Sequence, residues 1–337
     1  MKIAVFGSGF ITPEIFIDEI DREVPGCEFV TGTLPWPGAP RGNDDEIQEY
    51  AGDFDEIVRI AGDAEALVTD LAPVNAKMLA QMSSLKFIGV ARGGPVNINI
   101  AEATRRGVVV TNAPGRNGPA VAEFTVALVL DMVRRIGTGV ENLRSGRWQG
   151  DLYSYETCGF EIAGSTIGIV GFGKVGRLVV DLFRAFGMNV LVYDPFVAAA
   201  DVEKAGARLV GLDELLASSD FVSIHARLTP ETRGMISAGE LAGMKDGAYL
   251  INTARPGLID YPAVAEALRS GKLAGVALDV YPSEPPRLTD PIFASDRVLA
   301  LPHVGGATRE SAKRGAHMVA EDLARFIRGE ELLHRKN

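Results

Sequence analysis

The stretch that most constrains this chain runs from Ile162 to Pro195. A short apolar, β-branched run, Thr166-Ile167-Gly168-Ile169-Val170, leads into Gly171, Gly173 and Gly176 in the spacing G-x-G-x-x-G. Such a run predicts a strand buried on both faces of a parallel sheet. Beyond the glycines, Val175, Leu178, Val179, Leu182 and Phe183 recur at three- and four-residue intervals, which predicts a helix. A second apolar run, Asn189 to Tyr193, predicts another strand and ends at Asp194.

Each part has a physical task. Gly171 allows a tight turn, Gly173 lets the backbone approach a pyrophosphate, and Gly176 permits close packing of helix on strand. A diphosphate would lie against the free N–H groups at the helix start, where the helix dipole favours negative charge. Asp194, about 20 residues beyond the glycines, is placed to bond the adenosine ribose hydroxyls, which favours NAD over NADP. A bare G-x-G-x-x-G is a weak signal. Strand, helix, second strand and terminal acid together predict a dinucleotide site, against the alternative of a glycine-rich turn in an ordinary α/β domain.

The 337 residues suggest about two domains, with ample chain for substantial cores. A formal net charge of -10 argues against nucleic acid or an anionic membrane as partner, while leaving a small anionic substrate open. Cys27 and Cys158, the two cysteines, make neither a disulfide framework nor a zinc cluster, so no metal is expected. The first residues make too short an apolar run for a signal peptide, and no stretch approaches a membrane span. A cytoplasmic location is the expectation.

Taken in order, residues 1–9 read as a strand followed by Gly7-Ser8-Gly9. This imitates a nucleotide loop, but Thr12 stands where a third glycine would be and Pro13 follows. It reads instead as the opening of a different α/β unit. Residues 31–45 read as an exposed loop rich in Gly, Pro and charge. A helix is expected through Ile47, Tyr50 and Phe54, then strands and helices alternate as far as Val108–Asn112, which predicts a parallel sheet. One strand-end loop, Ala91 to Asn97, contains Arg92, Gly93 and Gly94. Its free backbone N–H groups and its cation could bind an anion, or it could be a plain turn. The loop Ala113–Pro119 is the natural domain boundary. Its Arg116 and Asn117 face either an interdomain cleft or solvent. A long apolar helix is expected over Ala120–Ile136, and residues 137–161, with Trp148, read as a second helix and an arm for a partner subunit. The last helix, Thr308 to Arg328, is amphipathic and could return the chain to the first domain.

Three polar residues stand at or after predicted strand ends, far apart in sequence: Arg255, Glu284 and His303. In a doubly wound sheet these loops share one edge, so the three can converge. An arginine can bind a carboxylate through two parallel bonds. A histidine can give or take the proton that accompanies hydride transfer, and a nearby carboxylate stabilises its imidazolium form. Taken singly, a lone histidine is more often structural, and an arginine or glutamate in a loop is usually solvated. His225, ending a predicted strand, is a candidate cofactor contact. His317 and His334 read as structural.

The motifs GIVGFGKVGRLVVDLFRAFGMNVLVYDP, IHARLTPETRGMI, LINTARPGLID, GVALDVYPSEP and LPHVGGAT, in this order, resemble the D-isomer-specific 2-hydroxyacid dehydrogenases. That family includes D-lactate, glyoxylate/hydroxypyruvate and D-3-phosphoglycerate enzymes, and the resemblance runs from about Ala64 to the final helix. It implies an α/β fold of two doubly wound parallel-sheet domains, the cofactor domain inserted into the substrate domain. The boundaries are then 1–113 plus 305–337 for the substrate domain and 114–304 for the NAD-binding Rossmann domain. It further implies NAD as cofactor and a homodimer. Arg255 would bind the substrate carboxylate, Glu284 would pair with His303, and His303 would be the general acid/base. Asp279 would contact the nicotinamide side. Lys174, Val175, Thr253, Ala254 and Gly305, within the matching motifs, join the glycines, Asp194 and His225 as expected cofactor contacts. The Gly93-Gly94 backbone would hold the substrate's acid group.

Some positions depart from the family pattern. Pro256 follows Arg255 where glycine is common, and Arg227 replaces a common proline. Arg92, Arg116 and Arg227 would add positive charge near the cleft, which suggests a substrate with an extra anionic or polyhydroxylated end. Two alternatives stand beside the general reading: a dehydrogenase dedicated to a phosphorylated or sugar-derived hydroxyacid, and a non-catalytic NAD-sensing protein.

Overall fold

The computed structural model describes residues 1–38 and 41–337. The chain divides into two compact units, residues 1–117 with 307–337, and residues 118–306.

The first unit runs β1 (Lys2–Gly7), α1 (Pro13–Glu23), β2 (Glu28–Thr33), α2 (Phe54–Ala61), β3 (Ala66–Thr69), α3 (Ala76–Gln81), β4 (Phe87–Val90), α4 (Ile100–Arg105) and β5 (Val109–Asn112). Its five strands are all parallel, in the order β2-β1-β3-β4-β5. Alternation along β1 shows why. Ile3 and Val5 enter one apolar cluster and Ala4 and Phe6 the other, so the strand is buried on both faces.

The second unit contains α5 (Gly118–Arg134), α6 (Ile136–Arg144), β6 (Thr166–Val170), α7 (Lys174–Ala185), β7 (Asn189–Tyr193), α8 (Ala199–Lys204), β8 (Arg208–Leu209), α9 (Leu212–Ser218), β9 (Phe221–Ile224), α10 (Ala238–Gly243), β10 (Ala248–Asn252), α11 (Tyr261–Arg269), β11 (Leu273–Leu278) and β12 (Val298–Ala300). These seven strands are also parallel, in the order β12-β11-β10-β9-β6-β7-β8. Ile167 and Ile169 of β6 pack with Val179 and Phe183 of α7 on one face. Val170 joins Leu250 and Val276 on the other. In each sheet the strand order reverses once, at β1 and at β6, and ligands of open α/β sheets bind at such points beyond the carboxyl ends of the strands.

The final helix, α12 (Arg309–Arg328), belongs to the first unit. Its Ala312, Ala316, Val319 and Leu323 share a core with Ile3, Val5 and Phe16. Gly89 of β4 makes room for it: a Cβ there would lie 2.4 Å from Val319 Cγ1.

Three sequence expectations need correction. The helix expected through Ile47 and Tyr50 begins only at Phe54, capped by Asp53, whose side chain accepts the Glu56 N–H. Upstream, Asp44 Oδ1 accepts the N–H groups of Glu46 and Ile47, and Glu49 lies at φ 52, a local turn that a helix cannot contain. The loop expected over 31–45 contains the end of β2 and a buried Leu34, while residues 39 and 40 lie outside the described residues. The single helix expected over Ala120–Ile136 is broken at Arg135, which is left-handed at φ 52 and separates α5 from α6.

Candidate active site

The glycine loop follows β6 at the point where strand order reverses. Its three glycines do different work. Gly171 lies at φ +100, and a Cβ there would stand 2.7 Å from Ala226 N. At Gly176 a Cβ would stand 2.1 Å from Gly171 O, so helix and turn touch through backbone. Around Gly173 a Cβ would meet nothing within 4 Å. That open space lies at the N-cap of the 12-residue α7, where backbone N–H groups lack intrahelical partners. The loop therefore has the turn, the packing and the vacant approach that a pyrophosphate needs. Asp194 closes it, with Oδ2 accepting Phe172 N–H and Oδ1 accepting Phe196 N–H, at 2.8 and 2.9 Å.

Four further strands present their carboxyl ends on the same side of that sheet. After β9 stands His225, whose Nε2 lies 2.9 Å from Ser223 Oγ. Burial pulls its titration down to about 4, so it is neutral at physiological pH. After β10 comes Arg255, exposed, with its loop held by Asn252. Asn252 Nδ2 donates to Arg255 O at 3.0 Å, and Ala254 N–H donates to Asn252 Oδ1 at 3.1 Å. Thr253 is buried, with its hydroxyl 3.4 Å from that of Thr125.

After β11 come Asp279 and Glu284, and after β12 comes His303. His303 Nδ1 lies 2.8 Å from both Glu284 carboxylate oxygens. Its backbone is left-handed at φ 57, a conformation uncommon outside glycine and asparagine. Asp279 holds the next two residues, accepting Val304 N–H on Oδ1 and Gly305 N–H on Oδ2, each at 2.8 Å. Burial raises the Asp279 titration, and these two N–H groups offset part of that rise. Tyr281 ties the same loops together: its hydroxyl donates to Leu301 O at 2.9 Å, and burial pushes its titration up to about 12. The ring of His303 is thus oriented from one side, and the backbone that follows it from the other.

In the first unit, Arg92, Gly93, Gly94 and Arg116 also lie beyond strand carboxyl ends. A Cβ at Gly93 or Gly94 would meet nothing within 4 Å, and Asn112 Nδ2 donates to Gly93 O at 2.8 Å. Arg92 is engaged: it pairs with the Glu49 carboxylate and donates to Glu49 O at 3.0 Å. Arg116 donates to the carbonyl and hydroxyl of Ser311, each at 3.3 Å, and its guanidinium stands 5.2 Å from the Phe10 ring centroid. Burial lowers its titration to about 10, opposed by the charge of Asp70. Arg227 is exposed in the second unit. Among the described residues there is no group of three or more His, Cys, Asp or Glu that could hold a metal. Nor is any described helix long and apolar enough to cross a membrane.

Ser8, Glu49, Asp70 and Asn252 were not singled out from sequence as site residues. One signal was available: Asp70, Asp194 and Asp279 each directly follow a strand.

Residues 126–305 match the model of the D-isomer specific 2-hydroxyacid dehydrogenase NAD-binding domain. The chain belongs to this family. Its second unit holds the family's NAD-binding domain. A D-3-phosphoglycerate dehydrogenase from Archaeoglobus fulgidus is 40% identical over 263 residues, 78% of this chain and 49% of that protein. The chain thus spans about half the length of the first curated relatives it matches. A glyoxylate reductase from Korarchaeum cryptofilum is 38% identical over 266 residues, 79% of each chain. Among solved structures, a glyoxylate reductase from Paecilomyes thermophila is 29% identical with a TM-score of 0.77, covering 99% of this chain and 98% of its own. D-2-hydroxyisocaproate dehydrogenase, at 24% identity, shares the fold with a TM-score of 0.83, covering 100% of this chain and 99% of its own.

Proposed function

We propose that this chain is an NAD-dependent D-2-hydroxyacid dehydrogenase. The observation that carries the reading is the Glu284–His303 pair, with Nδ1 held at 2.8 Å by both carboxylate oxygens, on the sheet that also bears the open glycine loop. A carboxylate on Nδ1 fixes the ring and stabilises the imidazolium, so Nε2 can exchange a proton with the substrate oxygen. In the reductive direction His303 donates that proton to the forming alkoxide, and in the oxidative direction it removes the hydroxyl proton. Arg255 binds the substrate carboxylate through its planar fork and helps polarise the carbonyl. NAD, when bound, accepts or supplies the hydride exchanged with C2 of the substrate.

Gly171, Gly173, Lys174, Val175 and Gly176 would hold the pyrophosphate, and Asp194 the adenosine ribose. Thr253, Ala254, Asp279, Gly305 and the neutral His225 would line the nicotinamide side. We assign substrate binding to the first unit, through the Gly93-Gly94 backbone with Arg92 and Arg116. The side chains of Trp148, Tyr153 and Tyr155, respectively 85%, 97% and 92% exposed, support a homodimer in which this arm is covered. A cytoplasmic location fits two unpaired cysteines.

The test follows nicotinamide absorbance with glyoxylate, pyruvate, hydroxypyruvate and phosphohydroxypyruvate, with NADH and NADPH. Turnover with NADH is expected, and His303→Ala should lower kcat by about 10²–10⁴-fold. Near-normal turnover in that variant would remove His303 from its role.

A further inference from the structure

We infer that the carboxyl-end edge of the first sheet reads a hydroxylated, unphosphorylated tail on the substrate, with Asp70 accepting hydrogen bonds from the tail hydroxyls. This rests on the dehydrogenase reading above and names the substrate class it takes: 2-hydroxyacids of four or more carbons carrying further hydroxyl groups.

Asp70 directly follows β3 and is 3% exposed. Its Oδ2 accepts the Ser8 hydroxyl at 2.5 Å, while its Oδ1 is buried with no hydrogen-bond partner. A buried carboxylate oxygen without a donor is costly, and native structures rarely leave one so. Ser8, Asp70, Arg92 and Arg116 follow β1, β3, β4 and β5, four neighbouring strands at the reversal of strand order, where ligands of such sheets bind. Arg92 and Arg116 both act on Asp70 electrostatically. Their hydrogen bonds to Glu49 and Ser311 nonetheless leave Oδ1 unsatisfied.

The charges select the ligand. A phosphate offers this oxygen only further negative charge, and the single carboxylate of Glu49 already offsets one of the two cations Arg41 and Arg92. A cationic tail is opposed by Arg92 and Arg116. A hydroxyl both donates and accepts without charge, so it satisfies a carboxylate set beside guanidinium groups. The Gly93-Gly94 backbone, assigned to the substrate's acid group, follows β4, the neighbour of β3. Adjacent strands lie about 4.8 Å apart, a distance that a tail of two or three carbons bridges. Reaching Oδ1 requires a side-chain rearrangement at this edge, a common accompaniment of binding. The reaction itself is unchanged: the C2 hydrogen leaves with its electron pair for NAD⁺, the hydroxyl proton passes to His303, and C2 becomes a carbonyl.

The experiment compares kcat/KM for lactate, 3-phosphoglycerate and 2,3,4-trihydroxybutanoate, all D at C2, with NAD⁺, in wild type and in Asp70→Asn. Trihydroxybutanoate should exceed both others by about tenfold or more, and its ratio to lactate should fall about tenfold in the variant, through KM. Preference for phosphoglycerate in wild type, or an equal proportional loss on all three acids in the variant, would overturn the inference. Melting of the NADH-saturated wild-type protein gives a second readout that needs neither turnover nor a folded variant. Trihydroxybutanoate should raise Tm more than the other two, and equal shifts overturn the inference. The dehydrogenase reading fails separately, by absence of turnover on every 2-hydroxy and 2-oxo acid or by its persistence in His303→Ala.

Discussion

The loops after β1 and β6 start alike and end differently. Each follows the strand at which the order of a parallel sheet reverses, each begins with a glycine, and each leads into a helix. After β6, Gly173 leaves open space at the start of α7. After β1 the loop closes on itself. Ser8 Oγ accepts the N–H groups of Phe10 and Ile11, at 3.1 and 3.4 Å, and Pro13 begins α1 with no N–H to offer. A Cβ on Gly7 would stand 2.4 Å from Pro13 N. One helix start has open space beside its N-cap glycine. In the other, N–H groups of the loop ahead of the helix are occupied internally, and the loop turns its hydroxyl toward a carboxylate. The same strand–turn–helix geometry thus yields an open helix start or a packed corner, and the side chains between the glycines decide which.

The largest effects should come where a methyl group meets backbone in either loop. Gly176→Ala and Gly7→Ala are each expected to cost about 3–4 kcal/mol in chemical denaturation. The first should also abolish NADH binding, whereas the second should leave the NADH Kd of the folded protein intact. Parallel loss of NADH affinity in Gly7→Ala would break the contrast.

Next is the acid that the β1 loop holds. In the folded chain Asp70 titrates at about 6 rather than near 3.8, because burial outweighs its bond from Ser8. Between those values the folded chain keeps a proton that the unfolded chain releases. The neutral carboxyl therefore favours the fold fully below about pH 3.8, and this contribution is lost as pH rises through about 6. Relative to wild type, Asp70→Asn should gain stability between pH 4 and pH 8, by up to about 3 kcal/mol. Urea midpoints with the same pH dependence in both proteins would contradict a raised Asp70.

A smaller effect is expected for Gly173→Asp. Its side chain enters open space, so Tm should move little, but a carboxylate at the start of α7 should weaken NADH binding by about 30-fold. Unchanged affinity by fluorescence titration would mean that the cradle does not hold the pyrophosphate. Least of all, Ser8→Ala should cost about 1 kcal/mol and raise the Asp70 titration further, since the hydroxyl's bond to Asp70 lowers it. Following the Asp70 carboxyl by NMR would show the direction.

This contrast was half visible in the sequence. G-x-G-x-x-G between two apolar runs is local information, and so is Thr12-Pro13 after Gly7, so the open and closed loops could be told apart by reading. The alternation that buries both faces of β1 and β6 is equally local. Arg255, Glu284 and His303 could be placed at strand ends, but the sequence separation of 19 between Glu284 and His303 does not state a hydrogen bond. The order of motifs made that pairing an expectation. Asp70 was missed because its character comes from burial and a missing partner, and Ser8 lies 62 residues away. The helix drawn through Ile47 failed for a local reason: apolar spacing is weaker evidence than an Asp that turns the chain back on its own N–H groups.

The return of α12 to the first unit has a consequence for synthesis. Residues 118–306 are contiguous, so the second unit can complete its sheet while the ribosome is still translating. The first unit cannot, since Ala316, Val319 and Leu323 of α12 are part of the core beneath β1 and α1. Until α12 has been translated, that face of the first sheet stays uncovered, a period in which an apolar surface depends on chaperones or on chance. The first unit, begun before the second, is therefore finished after it.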